Sequence, residues 1–233
     1  AYSYHFKLDR KWQVRPGIQF YYSQRAIKYH LMTFGDQVSI DATAPTSVEV
    51  FPEYNKVGYI DFAASVLAFS DQYWGGFTID HIARPNESLT GSESRIPYTC
   101  KVYGGAKYGI NGRLGKYDEE SITIAALYKC QGKYDQLDMG AYWMKKPLVL
   151  GFWYRGIPGI KAYKPGYANN DAAMILVGYR LFDMSIAYSY DFTISRLVNS
   201  TAGSHEISIQ FEFFQDQKIK RRQKRVIVPC PKF

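Results

Sequence analysis

Histidine and cysteine are the first side chains of this chain to weigh as bases, ligands or redox groups. The histidines are His5, His30, His81 and His205, and none stands at HExxH or other metal-ligand spacing. His81 follows Asp80, and His205 precedes Glu206, as carboxylate-imidazole couples would require. Both pairs lie in segments of alternating apolar and polar residues, where adjacent side chains point to opposite faces, so neither pair can act together. A GxSxG nucleophile elbow is also missing from the sequence. The reading is therefore non-enzymatic, with no metal and no cofactor. The cysteines are Cys100, Cys130 and Cys230. A hairpin centred near residue 115 pairs positions whose numbers sum to about 230, which sets Cys100 opposite Cys130. Both fall on the apolar parity, and two readings follow: a cross-strand disulfide, or two free lipid-facing thiols one register apart.

The elements that must position these residues are strands. From Ile96 to Ile110 every even position is apolar, aromatic or Gly, while the odd positions include Thr99, Lys101 and Lys107. Such a segment has one greasy face and one wet face. The pattern recurs in about eleven segments. Among them are Tyr2 to Leu8, Trp12 to Tyr22, Phe62 to Ala68, Tyr73 to His81, Ile122 to Tyr128, Leu137 to Trp143, Leu148 to Tyr154, Ala173 to Tyr179, Met184 to Phe192 and Ile207 to Phe213. Residues 25 to 56 read as a long excursion with a short strand near Val48 to Phe51.

Aromatic residues make up 17% of the 233 residues, Tyr alone numbering 21, yet the mean hydropathy is only -0.30. No segment approaches the roughly 20 apolar residues of a membrane helix. A membrane-spanning antiparallel β-barrel needs only one greasy face per strand and has this profile; a soluble sandwich is the competing fold. Two features favour the barrel. Short connections are expected after the odd strands and longer ones mostly after the even strands, as with periplasmic turns and external loops. Trp12, Trp74, Tyr98, Tyr108, Trp143 and Tyr154 fall near strand ends, where aromatic girdles sit. An odd strand count, with a first strand that begins at once, implies that earlier strands lie outside this sequence.

The formal net charge of +8 is concentrated near the end, where Lys218, Lys220, Arg221, Arg222, Lys224 and Arg225 cluster. The remainder is close to neutral, which speaks against nucleic acid as a partner. Residues 1–214 are assigned to the barrel and 215–233 to a basic tail. Val226, Ile227 and Val228, then Pro229, Cys230, Pro231, Lys232 and Phe233, make the tail apolar and rigid at its tip. It reads as a disordered basic end or as a docking segment using Lys220, Arg221, Arg222, Lys224, Arg225, Pro229, Cys230, Pro231 and Phe233. A second candidate for partner binding is the corner formed by His81, Arg84, Pro85 and Asn86. Plain turn chemistry explains its Pro and Asn equally well. The wet faces carry Lys101, Lys107, Gln136, Asp138, Asp191, Glu206, Gln210 and Glu212, which could line an open pore or pair across a filled lumen.

A set of ordered segments resembles the PorP/SprF family of Bacteroidetes outer-membrane proteins. The segments are Ala1-Tyr2-Ser3-Tyr4-His5-Phe6, Ile60-Asp61-Phe62-Ala63-Ala64-Ser65-Val66, Trp74-Gly75-Gly76-Phe77 and His81-Ile82-Ala83-Arg84-Pro85-Asn86. Leu150-Gly151-Phe152-Trp153-Tyr154-Arg155-Gly156, Tyr188-Ser189-Tyr190-Asp191, Gly203-Ser204-His205-Glu206-Ile207-Ser208 and the terminal Pro229-Cys230-Pro231-Lys232-Phe233 complete it. The resemblance implies a barrel of about 14 strands in the full protein, an even number. It further implies a multi-pass outer-membrane location with a periplasmic C-terminus, and a role in type IX secretion or gliding motility. The implied partners are outer-membrane lipids, a periplasmic ring lipoprotein and ring protein, a peptidoglycan-linked periplasmic protein, and the C-terminal domain of a secreted cargo or surface adhesin. A diffusion porin or solute transporter is the alternative function.

Overall fold

The computed structural model describes residues 1–38, 47–50, 56–89, 91–110, 120–157, 162–164, 167–181, 184–195, 198, 201, 203–211 and 213. The candidate tail residues Lys220, Arg221, Arg222, Lys224, Arg225, Pro229, Cys230, Pro231 and Phe233 lie outside the described residues.

Alternation of side chains produces one antiparallel sheet in which successive strands are neighbours. Two short segments, β1 (Tyr2–Ser3) and β2 (Phe6–Lys7), pair with different stretches of β3 (Gln13–Ala26) and act as one interrupted edge strand. Next come β4 (Lys56–Phe69), β5 (Tyr73–Asp80), β6 (Thr99–Gly109), β7 (Glu120–Gln131), β8 (Tyr134–Lys145) and β9 (Leu148–Gly156). A small separate hairpin of β10 (Ala162–Lys164) and β11 (Tyr167–Ala168) is inserted before β12 (Asn170–Leu181), β13 (Met184–Thr193) and β14 (Ser204–Phe211). The sheet is open: its path runs from β1 to β14 without those two strands pairing. With β1 and β2 counted as one, the sheet has the eleven positions expected from the alternation.

Exposure is inverted relative to a water-soluble sheet. On one face Ile18, Phe20, Ile60, Val102, Ile124, Phe152, Val177 and Ile207 are exposed. On the opposite face Asp61, Thr99, Ser121, Thr123 and Asp138 are buried. In water this would forfeit the hydrophobic driving force, so the apolar face requires a non-aqueous solvent. Among the described residues no helix is long and apolar enough to cross a membrane. Strands of 8 to 14 residues carry the crossing, close to the roughly 9–11 that a tilted membrane strand needs.

The polar face is packed by aromatic rings laid over glycines of the next strand. Trp74 is the direct cross-strand partner of Gly105, and Tyr103 of Gly76. Trp153 is likewise opposite Gly140, and Tyr142 opposite Gly151. A Cβ at Gly140 would lie 2.3 Å from Trp153 Cδ2, and one at Gly105 would lie 2.3 Å from Trp74 Cζ2. The rings occupy the space a side chain would fill. Trp153 and Tyr142 also meet edge to face at 5.6 Å between centroids. Charged groups on this face pair locally: Lys101 with Asp80 at 2.6 Å and Arg155 with Asp138 at 2.9 Å.

Four expectations need correction. Residues 25 to 56 are not all excursion, because β3 and β4 pair in continuous register out to Ala26 and Lys56. Residues 47–50 form no strand, and Phe51 lies outside the described residues. Trp74 is not a girdle residue; it is nine-tenths buried on the polar face. The sorting of connections fails at both ends of β7. A two-residue turn at Gly132 and Lys133 joins β7 to β8, where a longer loop was expected, and ten residues separate β6 from β7. The strands of the β7–β8 hairpin simply run to Gln131 and Tyr134, with Gly132 supplying the positive φ of +59° that the turn requires.

Two substitutions test the assignment of faces. Ile124→Arg should lower stability in lipid vesicles by about 2–4 kcal/mol, measured by denaturant titration, if Ile124 lies near the bilayer midplane. Gly140→Ala should cost about 1–3 kcal/mol by driving Trp153 from its seat. Gly35→Ala, where a Cβ meets nothing within 4 Å, should be neutral in the same titration.

Candidate functional site

The His81–Asn86 corner grows from the end of β5, where the sheet stops and the chain must turn. His81 and Arg84 both have left-handed backbones, with φ of 60° and 47°. Neither is Gly, and such conformations cost on the order of 1–3 kcal/mol each unless the surroundings hold them. The surroundings are specific. The Arg84 N–H donates to the His81 carbonyl at 3.0 Å, and the Ile82 N–H donates to Phe62 O at 3.1 Å, which ties the corner back to β4 beyond the last ladder pair, Ala64↔Ile79.

Asp61 anchors the corner from inside. It sits on β4, opposite Tyr21 of β3, and is fully buried. Its Oδ2 lies 2.7 Å from His81 Nδ1 and accepts from the Tyr21 hydroxyl at 3.1 Å. Its Oδ1 accepts from the N–H groups of Phe62 at 2.7 Å and Ala83 at 3.3 Å. Tyr21 Oη also stands 3.1 Å from His81 Nδ1. A buried carboxylate with two side-chain and two backbone partners is well satisfied, which removes most of the cost of its burial. The arrangement fixes a loop; it offers no nucleophile.

Asn86 organises the rest of the connection. Its Oδ1 accepts from Ser94 N–H at 2.8 Å and Ser88 N–H at 3.2 Å, and its Nδ2 donates to Ser92 O at 3.1 Å. Pro85 accepts from Ile96 N–H at 3.1 Å. Arg84 is exposed and holds its guanidinium 5.2 Å from the Tyr98 ring centroid. Glu87 reaches Arg25 at 2.8 Å, tying the loop to the far end of β3. Of the four candidates, His81 and Asn86 are engaged internally, Pro85 lends its carbonyl, and Arg84 presents an exposed cation.

Of the two carboxylate-imidazole neighbours, only His205 and Glu206 separate as the alternation requires. Asp80 and His81 take different partners, Lys101 and Asp61, yet both partners lie on the polar face, because β5 ends at Asp80 and the left-handed backbone at His81 breaks the alternation. His205 meets the Tyr188 hydroxyl at 2.6 Å, and Glu206 faces Ser208. Cys100 and Cys130 are direct cross-strand partners, and both are free thiols. Tyr21 was missed at the level of sequence, and Asp61 entered only as part of a resembling segment. A signal for Asp61 existed: it is the one charge on a wet-face series of Asp61, Ala63, Ser65 and Leu67. Among the described residues no group of His, Cys, Asp and Glu is arranged to hold a metal.

An antiparallel sheet with an apolar exposed face and a polar packed face defines a protein of the β-barrel membrane class. Residues 1–211 match the family described as type IX secretion system membrane protein PorP/SprF. The chain belongs to this PorP/SprF family. No curated protein sequence and no solved structure gives a significant match.

Removing the anchor should release the corner. Asp61→Ala leaves His81, Tyr21 and two backbone N–H groups without their acceptor, a loss of about 1–3 kcal/mol. The expected outcome is faster trypsin cleavage after Arg95 in the folded protein, with Asp61→Asn intermediate because it keeps one acceptor oxygen. Wild-type cleavage rates in Asp61→Ala would show that the corner is held by other contacts.

Proposed function

We propose that this protein is a non-enzymatic outer-membrane component of the type IX secretion and gliding apparatus. In this reading it partners a secreted cargo or surface adhesin through that protein's C-terminal domain. On the periplasmic side it meets the ring lipoprotein and ring protein, and a peptidoglycan-linked protein is a further candidate. The family match over residues 1–211 carries the proposal, because it makes the chain a membrane component of that secretion system. The inverted exposure of the sheet supports the membrane part independently.

Connection length supports a sidedness. The longest connections, after β3, β5 and β9, all lie at one end of the sheet; ten-residue connections fall at both ends, after β13 and after β6, and the two-residue turn after β7 shares the end of the longest ones. Long loops face outward in outer-membrane barrels, so the opposite end and the C-terminal tail face the periplasm. The corner of His81, Arg84, Pro85 and Asn86 then belongs to the external surface. Residues 215–233 form the periplasmic segment, in which Lys220, Arg221, Arg222, Lys224 and Arg225 supply charge. Pro229, Cys230, Pro231 and Phe233 supply a stiff apolar tip for docking on a ring component.

The test is gentle detergent extraction of the tagged full-length protein from its own outer membrane, followed by mass spectrometry of what co-purifies. Periplasmic ring proteins or a secreted surface protein are expected. Deletion of Ile227 to Phe233 should leave the protein in the membrane and lose the periplasmic partners. A barrel that purifies alone and conducts ions in planar bilayers would replace this reading with a porin.

A further inference from the structure

We propose that Cys100 and Cys130 form a redox-closable staple across the β6–β7 hairpin. The pairing is unbroken from Thr99↔Gln131 to Gly109↔Ser121, so the register that sets Cys100 against Cys130 has no bulge to relax it. Continuing that register by one step, Ile110 N–H donates to Glu120 O at 3.1 Å. The pair 110/120 is therefore of the hydrogen-bonded type. Pair types alternate along an antiparallel ladder, and 100/130 lies an even number of steps away, so it is of the same type. Such partners have Cα atoms about 5.5 Å apart, inside the roughly 4.4–6.8 Å that a disulfide spans.

The same geometry sets the character of the bond. Side chains of a hydrogen-bonded pair stand further apart than those of the alternating type, so closure must draw the two strands together locally. A bond formed that way is more readily reduced than an unstrained one. Both thiols are partly exposed, and Cys130 is the second-last residue of β7, one residue before the β7–β8 turn. That places the pair at the same end of the sheet as the long loops, within reach of reagents outside the lipid.

Closure is thiol–disulfide exchange with a disulfide oxidant. One cysteine thiolate attacks the oxidant's disulfide, forming a mixed disulfide and releasing one oxidant thiol. The second cysteine thiolate attacks the protein sulfur of that mixed disulfide, forming the Cys100–Cys130 bond and releasing the second oxidant thiol. Two electrons pass to the oxidant, and the two protons lost by the protein appear on its thiols.

Trypsin reads the outcome directly, since it releases Ile96–Lys101 and Cys130–Lys133 as separate peptides, each with one cysteine. Outer membranes holding the full-length protein are incubated with oxidised glutathione, quenched with acid, alkylated with iodoacetamide and digested. The expected product is the two peptides joined, two hydrogens lighter than their sum and separated by dithiothreitol. Reversal should require no denaturant. The proposal is overturned if, after that treatment, both peptides carry only the alkyl group or each carries glutathione. It is equally overturned if either cysteine is found joined to Cys230. Cys230→Ser, whose peptides must still link, separates true pairing from scrambling during work-up.

Discussion

The constraint on which this molecule depends is that a lipid interior offers no hydrogen-bond partner to the peptide backbone. Every N–H and C=O at that depth must be satisfied within the protein, which leaves a helix or a continuous strand ladder. This chain takes the ladder, and its registers run with few interruptions from β3 to β14. A ladder turns alternate side chains to opposite faces whatever they are. The sequence therefore has to supply two solvents' worth of residues, one for each parity. The greasy parity of Ile122, Ile124 and Tyr128 and the buried parity of Ser121 and Thr123 on the same strand are that demand made visible.

The polar face carries a second demand. Polar side chains that no longer see bulk water must satisfy one another, and Asp138 does so with Arg155 and with Gln136 at 2.8 Å. Between such contacts four ring-over-glycine pairs cover parts of the face. Glycine normally weakens a strand. Here its missing side chain lets a neighbouring ring lie against the sheet, so the burial gained by Trp74 and Trp153 offsets the intrinsic loss. The four pairs involve both β5–β6 and β8–β9, so the device recurs along the polar face.

What could be read from the sequence follows the range of the physics. Facing is a period-two property and survives in local pattern, so the strands and their greasy sides were legible. The Cys100–Cys130 opposition was legible too, since a hairpin register reduces to a sum of residue numbers. Strand ends were not. Beyond the lipid both faces meet water, so Gln24, Arg25 and Lys56 carry no alternation and read as loop although they are paired. Trp74 has the residue type of a girdle but the parity of the polar face, and parity decides. The Asp61–His81 contact joins residues 20 apart in sequence, and it appears only once β4 and β5 are in register.

These unreadable strand ends matter most for recognition outside the lipid. At about 3.3 Å per residue, a strand of 14 residues tilted by roughly 40° rises some 35 Å, against an apolar band of about 25 Å. The β3–β4 hairpin must therefore stand clear of the membrane on at least one side. The corner after β5 is fastened to its far half, through Asp61 below and the Arg25–Glu87 pair above. The result is a surface whose backbone is already ordered, with Arg84 and the Tyr98 ring displayed upon it. A partner docking there does not have to freeze that loop, and ordering entropy is among the larger costs of association. Internal engagement of His81 and Asn86 is thus no argument against a binding role for the corner. Their bonds hold the loop in one shape, and the exposed residues beside them are what a partner can touch.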